Sequence, residues 1–350
     1  MALFSKKRSD GKVVKDGDPM MRVMPYIMRG RNESAVYYSL HIDVGACQEF
    51  IKKQRREGVR ITLLNLVVAA MLQTMYRRPH TNRFIVGRRL YQRKQFEVLL
   101  VVKEALSDDA FESVIKVPFA PEDTVFEVAD KMAAHIKNVR AGVHKTDDKL
   151  IRFFSRTPRL LNRILLSLLR FLDFHNILPP VLRDVLPFYS SIFISHLGSI
   201  GAGAPFHHLY EFGTTSIFMT IGRSYERPAK KLLPDGTTEV EWRKTVDLSL
   251  TVDERICDGY YLIKTMKVFQ HYLNNPAELV HPVMKVDDDT EVEKQQGQRR
   301  RWYQWRFRRG DDILTVDELE EEEETMPVDE PASAVDQTTQ SDEAERDREN

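Results

Sequence analysis

The chain reads Val252-Asp253-Glu254-Arg255-Ile256-Cys257-Asp258-Gly259-Tyr260-Tyr261 near the end of its apolar part. A strand is predicted just before this decapeptide, at residues 245–251, and a helix that begins at its Gly259 is predicted at 259–273. Four charged side chains therefore stand at the joint between the last strand and the last helix. This joint is the first place to look for chemistry.

The decapeptide resembles the Asp-His-Arg-x-x-Asp-Gly signature of the dihydrolipoamide acyltransferases, the catalytic domain of the 2-oxo acid dehydrogenase acyltransferases, and of the chloramphenicol acetyltransferases. A second stretch, Phe193-Ile194-Ser195-His196-Leu197-Gly198, resembles the Thr-Ile-Ser strand followed by Leu-Gly in the same acyltransferases. The resemblance implies an α/β two-layer sandwich of the chloramphenicol acetyltransferase type, in which helices cover a mixed sheet. It also implies transfer of acyl groups between coenzyme A and a second acceptor.

By that resemblance Ser195 is the oxyanion donor of the site. The base histidine of those families is replaced here by Glu254. A carboxylate has a pKa near 4 and is a poor base toward a thiol, although burial in a narrow apolar channel raises it toward the useful range. His196 and His208 are alternative bases. His208 follows His207 in a loop, and histidines paired in this way more often lie at the surface.

Asp258 and Gly259 match the closing Asp-Gly of the signature. In the resembling families the aspartate is architectural and pairs with an arginine near the start of the domain, which makes Arg29 and Arg31 the candidates here. A buried carboxylate needs such a partner whatever the chemistry. The resemblance further implies a homotrimer in which the loop of Glu254 faces the Ser195 strand of a neighbouring subunit.

Two functions remain open at this point. The chain is either an acyltransferase that uses coenzyme A thioesters as substrate, or a catalytically silent member of the fold that serves as a binding or scaffold protein. No lipoyl module is expected ahead of the domain. No spaced cluster of His, Cys or carboxylates predicts a metal site, and no glycine-rich phosphate loop occurs.

Composition divides the chain into segments. We predict a flexible N-terminus at 1–19, an acyltransferase-like domain at 20–285 with a helical insert at about 149–187, a basic aromatic segment at 286–310 and a disordered acidic tail at 311–350. The tail holds 17 Asp or Glu against two Arg, so it carries −15, and the first 310 residues carry +15 although the whole chain is neutral. Such a tail cannot bury enough apolar surface to offset its ordering entropy.

The insert and the basic aromatic segment are candidate contact surfaces. The insert predicts a helix with an apolar stripe and arginines beside it, which is typical either of a helical hairpin packed on the body or of a membrane-surface or partner-binding helix. The segment between Arg299 and Arg309 mixes six arginines with aromatic residues. It favours docking on the body first, an anionic membrane or protein partner second, and nucleic acid last.

The cysteines and the N-terminus indicate the compartment. Cys47 and Cys257 are too few for a disulfide framework, and the lysine-rich start has no apolar signal-peptide core. We therefore expect a cytoplasmic protein, with peripheral membrane attachment as the alternative.

Overall fold

The computed structural model describes residues 8–15, 18–103, 112–141, 154–186, 188–233, 237–283, 307–309 and 312–314. Its strands are β1 Gly11–Val13, β2 Ala35–Asp43, β3 Arg83–Val86, β4 Arg89–Arg93, β5 Phe96–Lys103, β6 Glu112–Phe119, β7 Ile192–His196, β8 Ile217–Leu232, β9 Thr238–Asp253, β10 Phe307–Arg309 and β11 Asp312–Leu314. Its α-helices are α1 Pro19–Ile27, α2 Gly45–Arg56, α3 Leu63–Arg77, α4 Val125–Arg140, α5 Arg159–Phe174, α6 Pro180–Val185 and α7 Gly259–Asn274.

A six-stranded sheet with the order β2-β9-β8-β7-β5-β6 forms the centre of the first unit, Met1–Asp287. Strand β7 runs parallel to both of its neighbours, and the other pairs are antiparallel. Because side chains alternate along a strand, Ile192 and Ile194 of β7 face one side and Phe193 and Ser195 face the other. The sheet is mixed and covered by helices, which confirms the predicted α/β class.

Helices α2, α3, α4 and α7 pack on the face of Ile192 and Ile194. Helix α3 lies at the centre and is buried from Asn65 to Met75. It begins with a capping box, in which Thr62 accepts from the backbone of Asn65 while the Asn65 side chain accepts from the backbone of Thr62. Apolar residues on nearly every side of α3 explain this central position, since helices α2, α4 and α7 contact it.

A loop covers the opposite face of the sheet. The carbonyls of Ala204 and Pro205 accept hydrogen bonds from the hydroxyls of Ser249 and Thr220, respectively. His207 stacks on Phe218 with a centroid distance of 3.9 Å. This loop, residues 201–213, places polar strand positions in contact with backbone rather than water.

The hairpin β8–β9 extends further than its apolar residues predict. Pairing continues past a register shift between Ile221 and Ser224 as far as Leu232 opposite Thr238. The extension is rich in Lys and Glu, so periodicity indicates only the buried part, about residues 216–222 and 245–251.

The start of the described chain is ordered. Strand β1 pairs antiparallel with β4, and the Arg8 guanidinium is buried between Asp10 and Asp173, with N–O distances of 2.8 Å to each. The prediction of a flexible segment over 1–19 is therefore wrong for residues 8–13. The physical reason is that two carboxylates neutralise Arg8 on burial.

The described part of the insert, 154–186, contains α5 and α6. Leu178 and Leu186 form a small apolar cluster with Tyr189, and Leu169 and Leu172 pack against it. The opposite side of α5 is solvent-exposed although it is apolar. Among the helices that the structure describes, none is long and apolar enough to span a bilayer.

The second unit, Asp288–Asn350, is described only where β10 pairs antiparallel with β11. Strand β11 falls inside the predicted disordered tail, at 312–314. The remainder of the tail and residues 286–306 of the basic aromatic segment lie outside the described residues.

The turn between β3 and β4 yields a stability prediction. Gly87 has φ +57°, and a Cβ there would clash with the Phe174 carbonyl oxygen at the end of α5, whereas Gly58 has φ +82° with open space around it. Gly58→Ala should cost about 1–2 kcal/mol from backbone strain alone. Gly87→Ala should cost more, as measured by urea denaturation, and equal costs would show that α5 does not press on this turn.

Candidate functional site

Ser195 lies on β7, on the sheet face opposite the helical layer. It pairs in register with Thr220 of β8, which in turn pairs with Ser249 of β9. Its neighbours' hydroxyls bond to the loop, but the half-buried Ser195 hydroxyl makes no hydrogen bond within the described residues. A hydroxyl in this state is able to donate to an external oxygen.

Glu254 opens a 3-10 helix, Glu254–Ile256, directly after β9. Its backbone N–H donates to the Ser34 carbonyl at 3.0 Å, which fixes the main chain. The side chain is half-buried, and like Ser195 it forms no hydrogen bond within the described part of the chain.

The topology keeps these two residues apart in one chain. Glu254 is five residues beyond Ser249, which is about 16 Å along a strand, and β7 lies two strands from β9, which adds about 10 Å sideways. The separation is therefore roughly 19 Å. A reaction centre containing both residues requires two copies of the chain.

The buried charge at the joint is the pair Asp253–Arg255. The Arg255 guanidinium donates to both carboxylate oxygens of Asp253, at 2.8 and 2.7 Å, and to the carbonyls of Met28 and Arg29 at 3.0 and 3.1 Å. Both side chains are at most 3% exposed. These contacts of Arg255 hold the end of β9 against the end of α1. They also position Glu254, which lies between Asp253 and Arg255 in the sequence.

The predicted pairing of Asp258 with Arg29 or Arg31 does not form within the chain. Asp258 is exposed and caps α7 by accepting from the Tyr261 backbone N–H at 2.8 Å. Asp253 takes the architectural role instead, because it is the carboxylate that folding buries at this joint and it needs a cation beside it. Gly259 is the first residue of α7, and a Cβ there would meet open space.

The two candidate arginines lie in different environments. Arg31 is buried, and its guanidinium donates to the carbonyls of Tyr210, Glu211 and Ile85 at 3.2–3.4 Å. Burial is the main cause that lowers the pKa of Arg31, and the nearby Arg255 lowers it further while Asp253 opposes them. Arg29 is exposed.

The predicted alternative bases do not reach the joint. His196 ends β7 in register with Ile221, and burial lowers its pKa. His208 is exposed in the covering loop, where its ring stacks with His207 at 4.4 Å. Neither histidine lies beside Glu254, which follows β9.

A histidine near the joint is His80, which the sequence analysis does not single out. Its ring stacks on Tyr261 at 4.3 Å, and its backbone N–H donates to the Tyr261 hydroxyl at 3.2 Å. Burial, together with Arg83 and Arg78, lowers the pKa of His80 to about 3. It is therefore neutral and weakly basic at neutral pH. Its place after Pro79 in the turn that leads to β3 is the signal that could have drawn attention to it.

A second histidine that sequence reasoning missed carries a carboxylate partner. His41 Nδ1 lies 2.6 Å from Asp247 Oδ1, and the Tyr225 hydroxyl donates to the same oxygen at 2.8 Å. A carboxylate that orients an imidazole is one element of a general base. The pairing of β2 with β9 puts His41 opposite Asp247, so only the strand register reveals it.

The two thiols are not nucleophiles at neutral pH. Burial raises the pKa of Cys47 and of Cys257 to about 12. Cys47 donates to the Leu273 carbonyl at 3.0 Å. Among the residues that the structure describes, no group of three His, Cys, Asp or Glu side chains could hold a metal ion.

One family model matches the chain. The catalytic domain of the 2-oxoacid dehydrogenases acyltransferase matches residues 189–281, a span that contains both Ser195 and Glu254. It covers roughly a quarter of the sequence. Comparison with the curated proteins gave no match.

Several solved structures are similar at low identity. A probable dihydrolipoamide acetyltransferase from Listeria monocytogenes is 15% identical, with 80% of this chain and 98% of that chain covered and a TM-score of 0.47. Dihydrolipoamide acetyltransferase from Azotobacter vinelandii is 17% identical, with 76% and 94% covered and a TM-score of 0.49. A chloramphenicol acetyltransferase is 9% identical, with 76% and 98% covered and a TM-score of 0.45.

The buried Asp253–Arg255 pair gives a prediction about the free energy of unfolding. Asp253→Asn leaves a buried guanidinium without its counter-charge and should lower the free energy of unfolding by about 3–5 kcal/mol. The matched control is Asp43→Asn, which removes the partner of Arg243 in a pair with both side chains 42% exposed, where about 0–1 kcal/mol is expected. Urea unfolding of both variants measures the difference, and similar losses would contradict the role given to Asp253.

Proposed function

We propose that the chain is an acyltransferase of the 2-oxo acid dehydrogenase acyltransferase type. It transfers an acyl group between coenzyme A and an acceptor thiol or hydroxyl, at sites shared between the subunits of a homotrimer. The observation that carries the proposal is the family match over 189–281, which holds the Ser195 strand and the Glu254 joint together. The separation of these residues within one chain supports a shared site, since the two motifs then meet only across a subunit interface.

The chemistry follows from the two unengaged side chains. The Glu254 carboxylate takes the proton of the acceptor as its sulfur or oxygen attacks the thioester carbonyl carbon. The Ser195 hydroxyl of the neighbouring subunit donates a hydrogen bond to the oxyanion that forms. When the tetrahedral intermediate collapses, its carbon–sulfur bond breaks, and the leaving coenzyme A sulfur receives the proton from Glu254.

A second candidate is a catalytically silent binding protein of the same fold. The specific observation in its favour concerns the histidines. Burial is the main cause that lowers the pKa of His80 to about 3, so this imidazole near the joint is a weak base, and His196 lies at the end of β7, away from the joint. In that case the fold is retained for assembly, and the half-buried Glu254 has no proton to transfer.

The shared site predicts an oligomer. Light scattering of the full chain should give three chains per particle, because a site divided between two subunits needs a closed ring and the resemblance to the acyltransferases implies a ring of three. The variant Asp43→Asn serves as the control for surface charge. A clean monomer at assay concentration would exclude the shared site.

Substitution of the base position separates the two functions. Glu254→His should raise acyl transfer from acetyl-coenzyme A to a simple thiol, because imidazole with a pKa near 6.5 is the better base at neutral pH. Ser195→Ala in that background should lower the rate about a hundredfold by removing the oxyanion donor. Release of free coenzyme A thiol measures both.

Two control variants match these changes. Glu241→His alters a glutamate on the β8–β9 hairpin whose side chain is 43% exposed, and Ser199→Ala removes a serine whose hydroxyl already donates to the His196 carbonyl at 2.7 Å. Both should leave turnover unchanged. No turnover in the trimer, with or without Glu254→His, would favour the silent binding protein.

A further inference from the structure

A cavity of about 280 Å³ lies on the far side of the joint from the sheet. The end of α1, the β3–β4 turn, the C-terminal end of α5 and residues 211–213 surround it. Its charged lining residues are Arg29, Arg31, Arg88, Arg170, Arg255, Asp173 and Glu211. Five cations therefore stand against two anions.

The two carboxylates of the cavity already have hydrogen-bond partners within the chain. Asp173 pairs with Arg8 at 2.8 Å. Glu211 accepts from the backbone N–H groups of Arg31 and Asn32 at 3.1 and 2.9 Å. Neither acid forms an ion pair with a rim arginine within the described residues.

The rim arginines keep their charge unpaired. Arg29, Arg88 and Arg170 are exposed and make no ion pair within the described residues. On the wall of the cavity, the buried Arg31 Nε has no hydrogen-bond partner in the described part of the chain. The exposed guanidinium groups at the rim and the open Nε of Arg31 in the wall are donors that an external anion could accept from.

An apolar face of α5 begins beside these arginines. At about 100° per residue, Phe174 lies between Arg170 and Phe171 on the helix circumference, and the face continues through Ile164 and Leu160. Leu160 is 71% exposed, Ile164 54% and Phe171 53%. Water contact over so large an apolar face is typical of an interaction surface.

Helix α1 presents a similar surface on the other side of the cavity. Its exposed apolar residues are Met20, Val23, Tyr26 and Ile27. The Arg88 guanidinium carbon lies 5.5 Å from the centre of the Tyr26 ring, and Gly87 in the same turn abuts the Phe174 carbonyl of α5. The turn thus joins both helices at the rim.

We propose that this cavity and the two apolar helix faces are a docking surface for an anionic phospholipid bilayer. A lipid phosphate accepts from the cavity arginines, and the exposed side chains of α5 and α1 enter the acyl-chain boundary. A soluble phosphate would account for the arginines but leaves the apolar faces in water. A second copy of the chain would cover the apolar faces but brings together two sets of unpaired arginines.

The test uses the full chain and vesicles of phosphatidylcholine, with or without phosphatidylglycerol. Co-sedimentation is expected with the anionic vesicles, and rising salt should weaken it. Arg88→Gln and Arg170→Gln should each weaken binding about fivefold. A basic residue near an anionic lipid surface contributes about 1 kcal/mol, which corresponds to that change in the binding constant. Ile164→Ser should weaken it through lost apolar burial.

Matched controls come from the β8–β9 hairpin. Arg243→Gln removes an arginine that is 42% exposed, and Val240→Ser removes an apolar residue that is 63% exposed. Both should leave binding unchanged. If Arg243→Gln weakens binding as much as Arg88→Gln does, attraction is by overall charge and the proposed surface is wrong.

Three further outcomes would overturn the proposal. Equal binding to both kinds of vesicle would exclude the phosphate contact. Calorimetric binding of inorganic phosphate that Arg88→Gln abolishes, without any binding to vesicles, would make the cavity a site for a soluble anion. A smaller particle for Ile164→Ser in light scattering would make the α5 face an interface between copies. None of these readouts depends on acyl transfer, so a failure here leaves the proposed function untouched.

Discussion

The buried ion pair of Asp253 and Arg255 is the constraint on which the rest of the joint depends. One guanidinium serves both oxygens of a carboxylate at the end of β9 and two carbonyls at the end of α1. Bidentate arginine geometry makes this contact directional as well as strong. The end of α1 and the end of β9 are therefore held together, and the main chain that carries Glu254 is fixed by Asp253 and Arg255 on either side of it.

The sheet determines the direction in which Ser195 faces. Its strict alternation sends Ile192 and Ile194 into the helical layer and turns Ser195 toward the covering loop. That loop satisfies Thr220 and Ser249 through carbonyl oxygens but does not reach the Ser195 hydroxyl with an acceptor. Because Ser195 is half-buried and its hydroxyl has no partner within the described residues, this hydroxyl remains open to an external group.

Much of the fold could be predicted from the sequence because the signals are local. Apolar runs at β5 and β7 and the nearly all-apolar α3 are short patterns that the sequence shows directly. The start of α4 shows where such patterns stop. Asp123 and Thr124 are both residue types that favour an N-cap, but Thr124 takes the position, because it forms a capping box with Glu127 while Asp123 accepts from the Ala120 N–H.

The candidate site is less predictable because its partners are distant in sequence. The decapeptide indicates which charges stand at the joint, but not that Asp253, rather than Asp258, is the carboxylate that becomes buried. Arg8 pairs with Asp173 across 165 residues, and His41 meets Asp247 only through strand register. Composition gives no sign of either contact, since each depends on how elements pack.

The same joint explains why the cavity beside it is short of negative charge. Asp253 is committed to Arg255, so Arg31, buried next to them, is solvated by carbonyl dipoles of residues 85, 210 and 211 rather than by a carboxylate of its own. Carbonyl oxygens satisfy the guanidinium geometry but do not cancel its charge. With three more arginines at the rim, positive groups outnumber the carboxylates among the described residues that line this cavity. The arrangement that positions Glu254 therefore also places Arg255 and Arg31 in the wall of the cavity.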